Sequence, residues 1–247
     1  MSSSIKPLVL HAHTTGPNPI KIAIALEKLK VPYEIKLWEF GDDPKNGLKG
    51  AKFLTINENG RVPALEDPNT GVVSWESGAV MNYIRRKYDS GNKLGPQGKS
   101  EQDLVDFEKW EYFLLTTLGP MTGQTNWYRY VFVLGDSLSS FESCGPLLTC
   151  GDRHYNEVKN EDALNRYAAQ THRCYQVLEG QLKKTNGESI LPGGYTAVDA
   201  HYEPWVRQHA YAQLSLDDYP MVSKWLKQYG ETDEVKAAYK KIQDATS

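Results

Sequence analysis

The chain has 247 residues, 40% of them hydrophobic and 24% charged, with a formal net charge of −3. That is apolar content for one large domain or two small ones. It excludes a strongly basic nucleic-acid binder or a cationic membrane-surface protein, and no apolar run approaches a bilayer span. The start, Met1 to Lys6, is polar and leads into only the short run Leu8-Val9-Leu10, too little for a secretory signal, so the chain reads as cytoplasmic. Leu8 to Ala12 reads as a strand. Asn18-Pro19 then opens a helix with Ile22, Leu26 and Leu29 on one face. Tyr33 to Trp38 alternates apolar with polar residues, a second strand. Gly41 to Gly50 is a Gly/Asp/Pro-rich connector, Val62 to Leu65 a third strand, Asp67 to Gly71 a turn and Val72-Val73 a short fourth strand. A helix follows from Glu76 to Tyr88. The order β-α-β, connector, β-β-α predicts an α/β layer domain over residues 1–89.

Residues 90–99 read as a linker rich in Gly, and from 100 to 247 the chain reads as a second, all-α domain. Leu104, Phe107, Trp110 and Leu114 recur at helical spacing, and Ala163 to Leu182 is amphipathic. Thr196-Ala197-Val198-Asp199 has the form of a capping box with Asp in place of Glu, opening a helix that carries Tyr202, Trp205 and Val206. Tyr202 and Trp205 are expected to pack in the core. Between the helices, residues 132–158 read as an extended loop: a lid or dimer-surface feature on one reading, a tolerated surface insertion on the other. Cys144, Cys150 and Cys174 are an odd number in a long chain, so no disulfide framework is implied, and no second Cys or His pair stands at zinc-site spacing, so no metal is expected.

Three segments of the first half carry candidate chemistry. In Thr14-Thr15-Gly16-Pro17-Asn18-Pro19, Asn18 serves as a helix N-cap on the plainer reading. On the sharper one its NH₂ also faces outward. A helix N-terminus favours negative charge, so a thiol placed there is biased toward thiolate, helped by an amide donor or by the hydroxyl of Thr14 or Thr15. In Asn59-Gly60-Arg61-Val62-Pro63-Ala64-Leu65 the proline is either a plain strand start or the site of a cis bond. A cis bond would leave the Val62 backbone open to an extended peptide. In Trp75-Glu76-Ser77-Gly78-Ala79, Glu76 and Ser77 are an ordinary first turn taken alone. Beside the other segments, a helix N-terminus with a Ser hydroxyl suits a carboxylate and a neighbouring Glu suits an ammonium group.

Together these segments resemble the cytosolic glutathione transferases. The pattern Val62-Pro63-Ala64-Leu65, followed ten residues later by Trp75-Glu76-Ser77-Gly78-Ala79, is specific to that superfamily, and Leu191 to Asp199 is similar to its helical-domain capping motif. Thr15-Gly16-Pro17-Asn18, the spacing to Lys21, and Leu118-Gly119-Pro120-Met121 with Gly123-Gln124 and Asn126 look most like the fungal branch related to the yeast nitrogen-catabolite regulator that forms a prion, and like the bacterial nu class. The resemblance implies an α/β thioredoxin-like N-terminal domain, an all-helical C-terminal domain, a homodimer, and glutathione as co-substrate with no metal. It implies Val62 beside cis-Pro63 for the cysteinyl backbone, Glu76 and Ser77 for the γ-glutamyl end, and Lys49 and Arg61 for the glycyl carboxylate. Asn18 would face the sulfur, with Thr15 as second choice. Thr14, Gln124, Asn126, Trp127 and Tyr128 would wall a second-substrate pocket. The chemistry expected is attack of the glutathione thiolate on an electrophilic, mostly apolar small molecule, in detoxification or a fungal secondary-metabolite step. Glutathione-dependent peroxide or disulfide reduction, and a non-catalytic glutathione-binding regulator, stand as alternatives.

Overall fold

The computed structural model describes residues 5–136 and 160–246. Its first part is a four-stranded mixed sheet with three helices: β1 (Leu8–Ala12), α1 (Pro17–Leu29), β2 (Tyr33–Leu37), α2 (Ala51–Leu54), β3 (Ala64–Asp67), β4 (Val72–Trp75) and α3 (Ser77–Tyr88). The strands lie in the order β2-β1-β3-β4. β1 and β2 are parallel, the pairing that requires a crossover such as α1, while β1–β3 and β3–β4 are antiparallel. Leu8 and Leu10 of β1 enter the main core with Ile22, Leu26, Val80 and Ile84 of α1 and α3. On the opposite face, buried His11 meets the rings of Trp38 and Phe53, under the short helix α2. β1 is thus covered on both faces, which explains its continuous apolar run.

The third strand begins later than its sequence suggests, at Ala64 rather than Val62: Pro63 has no N–H to give to a ladder, and Val62 and Pro63, joined by a cis peptide bond, stand ahead of it. The helix α2 was absent from the sequence reading; four residues are too few to show a period.

Past the connector, Ser100 and Asp103 close a reciprocal capping box on α4 (Glu101–Phe113). A π-helical turn, Leu114–Leu118, links α4 to α5 (Gly119–Asp136). Pro120 has no N–H for the carbonyl four residues back, and the Gly119 N–H reaches five residues back to Leu114. The helix α5 runs through Asp136, so residues 132–136 of the expected loop are helical; the remainder of that expectation, with Cys144 and Cys150, lies outside the described residues. Four further helices follow: α6 (Glu161–Lys184), α7 (Ala197–Arg207), α8 (Pro220–Gly230) and α9 (Asp233–Asp244). Thr196 and Asp199 form the capping box of α7. Asp199 also accepts from Ile190 N–H and from the Trp225 indole, both at 2.9 Å, so the same carboxylate ties α8 to the start of α7. A single apolar cluster runs from Leu8 to Ile242 through both layers. This is a thioredoxin-like α/β domain packed on an all-α domain.

Candidate active site at the domain boundary

The turn between β1 and α1 does not use Asn18 as its cap. Gly16 holds the N-cap position with extended backbone, Pro17 is the first helical residue, and no side chain caps the helix. Pro at that position needs no N–H and brings the right φ. Asn18 therefore falls inside the first turn with its amide free for other work. Its Oδ1 accepts a hydrogen bond of 3.0 Å from Nε1 of Trp205 in α7. Trp205 packs against the core as expected, but it is only half-buried and its indole reaches across the domain boundary to the N-terminal turn. Thr15 is turned the other way. Its backbone N–H donates to Nδ1 of His13 at 3.2 Å and its hydroxyl lies 3.1 Å from the same nitrogen. An Nδ1 that accepts from a backbone N–H has no proton of its own to give, so the Thr15 hydroxyl spends its proton on His13. Asn18, whose NH₂ has no hydrogen-bond partner among the described residues, is the better donor of the two.

At the start of α3 the structure revises a second reading. Glu76 is not in the first turn but at the N-cap, with φ +68°, backbone that non-glycine residues rarely adopt and that clusters at functional sites. The kink leaves Glu76 exposed and buries Ser77 at the helix N-terminus. The Ser77 hydroxyl oxygen accepts from Nζ of Lys21 at 3.3 Å, which leaves its own O–H available to donate. Lys21 is fully enclosed. Burial pushes its ammonium down to about 7, against the pull of the Glu76 and Glu111 carboxylates. Its Nζ also stands 5.7 Å from the centre of the Trp205 ring. Behind it, Glu111 of α4 and His201 of α7 pair at 3.2 Å, and desolvation holds His201 below its ordinary pKa. The sequence reading missed this buried polar group. Its one signal was a lysine on the apolar face of α1, between Ile20 and Ile22.

The loop before β3 supplies a third edge. Its register with β1 and β4 begins at Ala64, so the Val62 N–H and C=O lie outside the ladder. Buried Asn57 shapes the loop by donating to the Arg61 carbonyl and accepting from Asn59 N–H. Lys49 Nζ donates to the Asn59 carbonyl at 2.7 Å and lies over Gly60, where a Cβ would come within 3.0 Å of that nitrogen. Gly60 has φ +61°, so both conformation and space call for glycine there. The Arg61 side chain is exposed.

The expected second-substrate residues divide. Gln124 and Trp127 are exposed on α5, and Thr14 is half-buried beside Thr15. Asn126 is occupied within the helical domain, donating to Gln208. Tyr128 stacks on Tyr167 of α6 with the rings 12° apart, which aims it into the α5–α6 seam. Leu115 of the π-helical turn was not anticipated: its Cδ1 would lie 2.8 Å from a Cβ on Gly78, so it packs directly against the first turn of α3. Among the described residues, no cluster of His, Cys, Asp and Glu could hold a metal ion, and no helix is long and apolar enough to cross a membrane.

These features have counterparts among known proteins. A model of the glutathione S-transferase N-terminal domain matches residues 6–86. The glutathione S-transferase-like protein tpcF of Aspergillus fumigatus is 28% identical over 234 residues, 90% of each chain. The URE2 protein of Candida albicans is 28% identical over 251 residues, covering 93% of this chain and 68% of its own. The solved structure of the transferase URE2P8 of Phanerochaete chrysosporium with oxidised glutathione superposes with a TM-score of 0.76 at 27% identity, over 99% of each chain. By domain match, by fold and by relatives along nearly its whole length, the chain belongs to the cytosolic glutathione transferase superfamily, in its Ure2-like fungal branch.

Proposed function

We propose that the chain is a glutathione transferase that binds glutathione along the β3 edge and joins its thiolate to an electrophilic, mostly apolar small molecule. The observation that carries this reading is the Asn18 amide in the first turn of α1, its oxygen engaged by Trp205 and its NH₂ left as a donor. The residues present fit an extended, zwitterionic tripeptide. The Val62 backbone, outside the ladder, offers strand-like pairing to the cysteinyl unit. The Ser77 hydroxyl and the N-terminus of α3 suit the γ-glutamyl carboxylate, and Glu76 its ammonium group. Lys49 and Arg61 supply positive charge for the glycyl end. A free thiol with a pKa of about 8.5 is only a few per cent ionised at neutral pH. Lowering it by about two units needs roughly 2.7 kcal/mol of preferential stabilisation of the anion. An amide donor and a helix N-terminus acting together are of that order. The thiol proton is released to solvent, and the sulfur then attacks carbon, displacing a leaving group with its bonding pair or adding across an activated double bond that takes a proton from water, with the bound pair's proximity supplying the rest of the acceleration. Thr14, Gln124 and Trp127 are the candidate walls for the second substrate. A cytoplasmic homodimer, as the superfamily implies, belongs to the same proposal.

The test is a titration of glutathione across pH, following the ultraviolet absorbance of the bound thiolate in the wild type and in Asn18→Ala. The expected result is a bound thiol pKa well below that of free glutathione, raised in the variant, with turnover falling more than affinity. Binding with an unshifted thiol would instead favour a non-catalytic glutathione-binding regulator. The relative solved with oxidised glutathione favours peroxide or disulfide reduction as the second catalytic reading. A screen of electrophiles against peroxides and disulfides separates it from conjugation.

A further inference from the structure

We propose that Trp205 is the positioning residue of the thiol site: its indole fixes which end of the Asn18 amide faces the sulfur. The inference rests on the transferase reading of Asn18 and adds to it a residue from the other domain. A primary amide is nearly symmetric in shape but opposite in polarity at its two ends. With the oxygen toward the sulfur it would repel a thiolate; with the NH₂ toward it, it stabilises one. An indole N–H donates and never accepts, so the 3.0 Å bond from Trp205 Nε1 admits only the oxygen at that end. The NH₂ is then the end left to face the sulfur.

Trp205 is itself held in place. Gly119 and Gly123 of α5 lie against its ring: a Cβ on Gly119 would come within 3.3 Å of Cε2, a tight approach, and one on Gly123 within 3.5 Å of Cη2, an ordinary contact. The π-helical turn ahead of Gly119 sets the phase at which these two glycines face α7. The Lys21 ammonium stands 5.7 Å from the ring centre, a cation–π contact from the helix that carries Asn18. The capping box of α7 anchors the helix two turns earlier. The donor is therefore part of the rigid helical domain, while the amide it orients belongs to the α/β domain. Thiol activation becomes a property of the assembled domain boundary.

The test is the pH titration of bound glutathione in Trp205→Phe, which keeps an aromatic ring and loses the N–H, with Trp205→Met as the second variant should Phe fail to fold. The bound thiol pKa should rise by about one unit, a tenfold change in its ionisation constant that takes a thiol at about 6.5 down about threefold in thiolate fraction at neutral pH, with glutathione affinity held within about threefold, since the ground-state contacts lie elsewhere. The double variant Asn18→Ala/Trp205→Phe should be no worse than Asn18→Ala alone, because residues acting through one another are not additive. A wild-type thiol pKa in Trp205→Phe, while Asn18→Ala raises it, would overturn the role of Trp205 and leave the transferase reading standing. So would fully additive losses in the double variant. An unshifted thiol in the wild type itself would remove the transferase reading and this inference with it.

Discussion

Asn18, Glu76 and Lys21 each occupy a place that local preference would assign differently. Asn is a favoured N-cap, yet the cap is Gly16 and the amide is engaged by Trp205 instead. Glu76 sits at φ +68°, where a residue with a Cβ is strained by about 1–3 kcal/mol. Glu76→Gly is therefore expected to hold or raise the melting temperature while weakening glutathione binding, and Ser77→Ala to weaken binding about tenfold without the gain in stability. Calorimetric titration alongside thermal unfolding checks both; undiminished affinity in the pair would sink the γ-glutamyl assignment. Lys21 has a folded-state pKa of about 7 against 10.5 for an unburied lysine, mainly through desolvation. Between those values the unfolded chain binds the extra proton, so this group makes stability rise with pH. Relative to Lys21→Met, the wild type should gain roughly 2 kcal/mol between about pH 7 and pH 9, read by urea unfolding at each pH.

Among the elements, α3 matters most to the site, since its first residues are Ser77 and Gly78. Its far end is fixed by Asp67 at the close of β3, which accepts 2.5 Å hydrogen bonds from the hydroxyls of Tyr83 and Tyr88. Desolvation raises the Asp67 pKa, but the hydrogen bonds from Tyr83, Tyr88 and Asn69 outweigh it and bring the carboxyl to about 2. A depressed carboxyl stabilises the fold above its unfolded value of 3.8 and loses that contribution as pH falls toward 2. Asp67→Asn should cost about 2 kcal/mol at neutral pH and remove the part of the acid unfolding that this group causes. Chemical denaturation from neutral to acid pH tests it: an equal loss for wild type and variant below neutrality would contradict the arrangement. The π-helical turn is the other element with a consequence for function. It stacks Leu115 against Gly78 and sets the two glycines that accept Trp205, the kind of local irregularity that recurs at functional sites.

Over the whole molecule, the two layers share one apolar core, with the polar contacts of Lys21, Glu111 and His201 enclosed at their boundary. The cluster that begins with Leu8 and Leu10 continues through Phe107, Trp110, Leu178 and Trp225 to Ile242. Domains joined this way unfold together. Thermal unfolding should give a single transition with matching calorimetric and van't Hoff enthalpies, and a fragment of residues 5–89 alone should not fold to a glutathione-binding form. Two resolved transitions, or a fragment that lowers the thiol pKa by itself, would show that the domain boundary contributes less than the Asn18–Trp205 bond implies.

What the sequence determined by itself was local: the strands β1 and β2 from their apolar patterns, α1, α3, α4, α6 and α7 from period and capping residues, the cis bond as one of two readings of Val62-Pro63, and the family from spaced motifs. These depend on neighbours a few residues apart, where turn chemistry and periodicity act. What only the tertiary structure decided is which of those residues meet. Lys21 reaches Ser77 across 56 residues and Asn18 reaches Trp205 across 187, and neither contact leaves a periodic trace. The same lack of local signal hid the four-residue α2 and the strained backbone at Glu76. A side chain's choice between capping its own helix and bonding a distant one is settled by what packing brings near it, and that is a property of the folded chain.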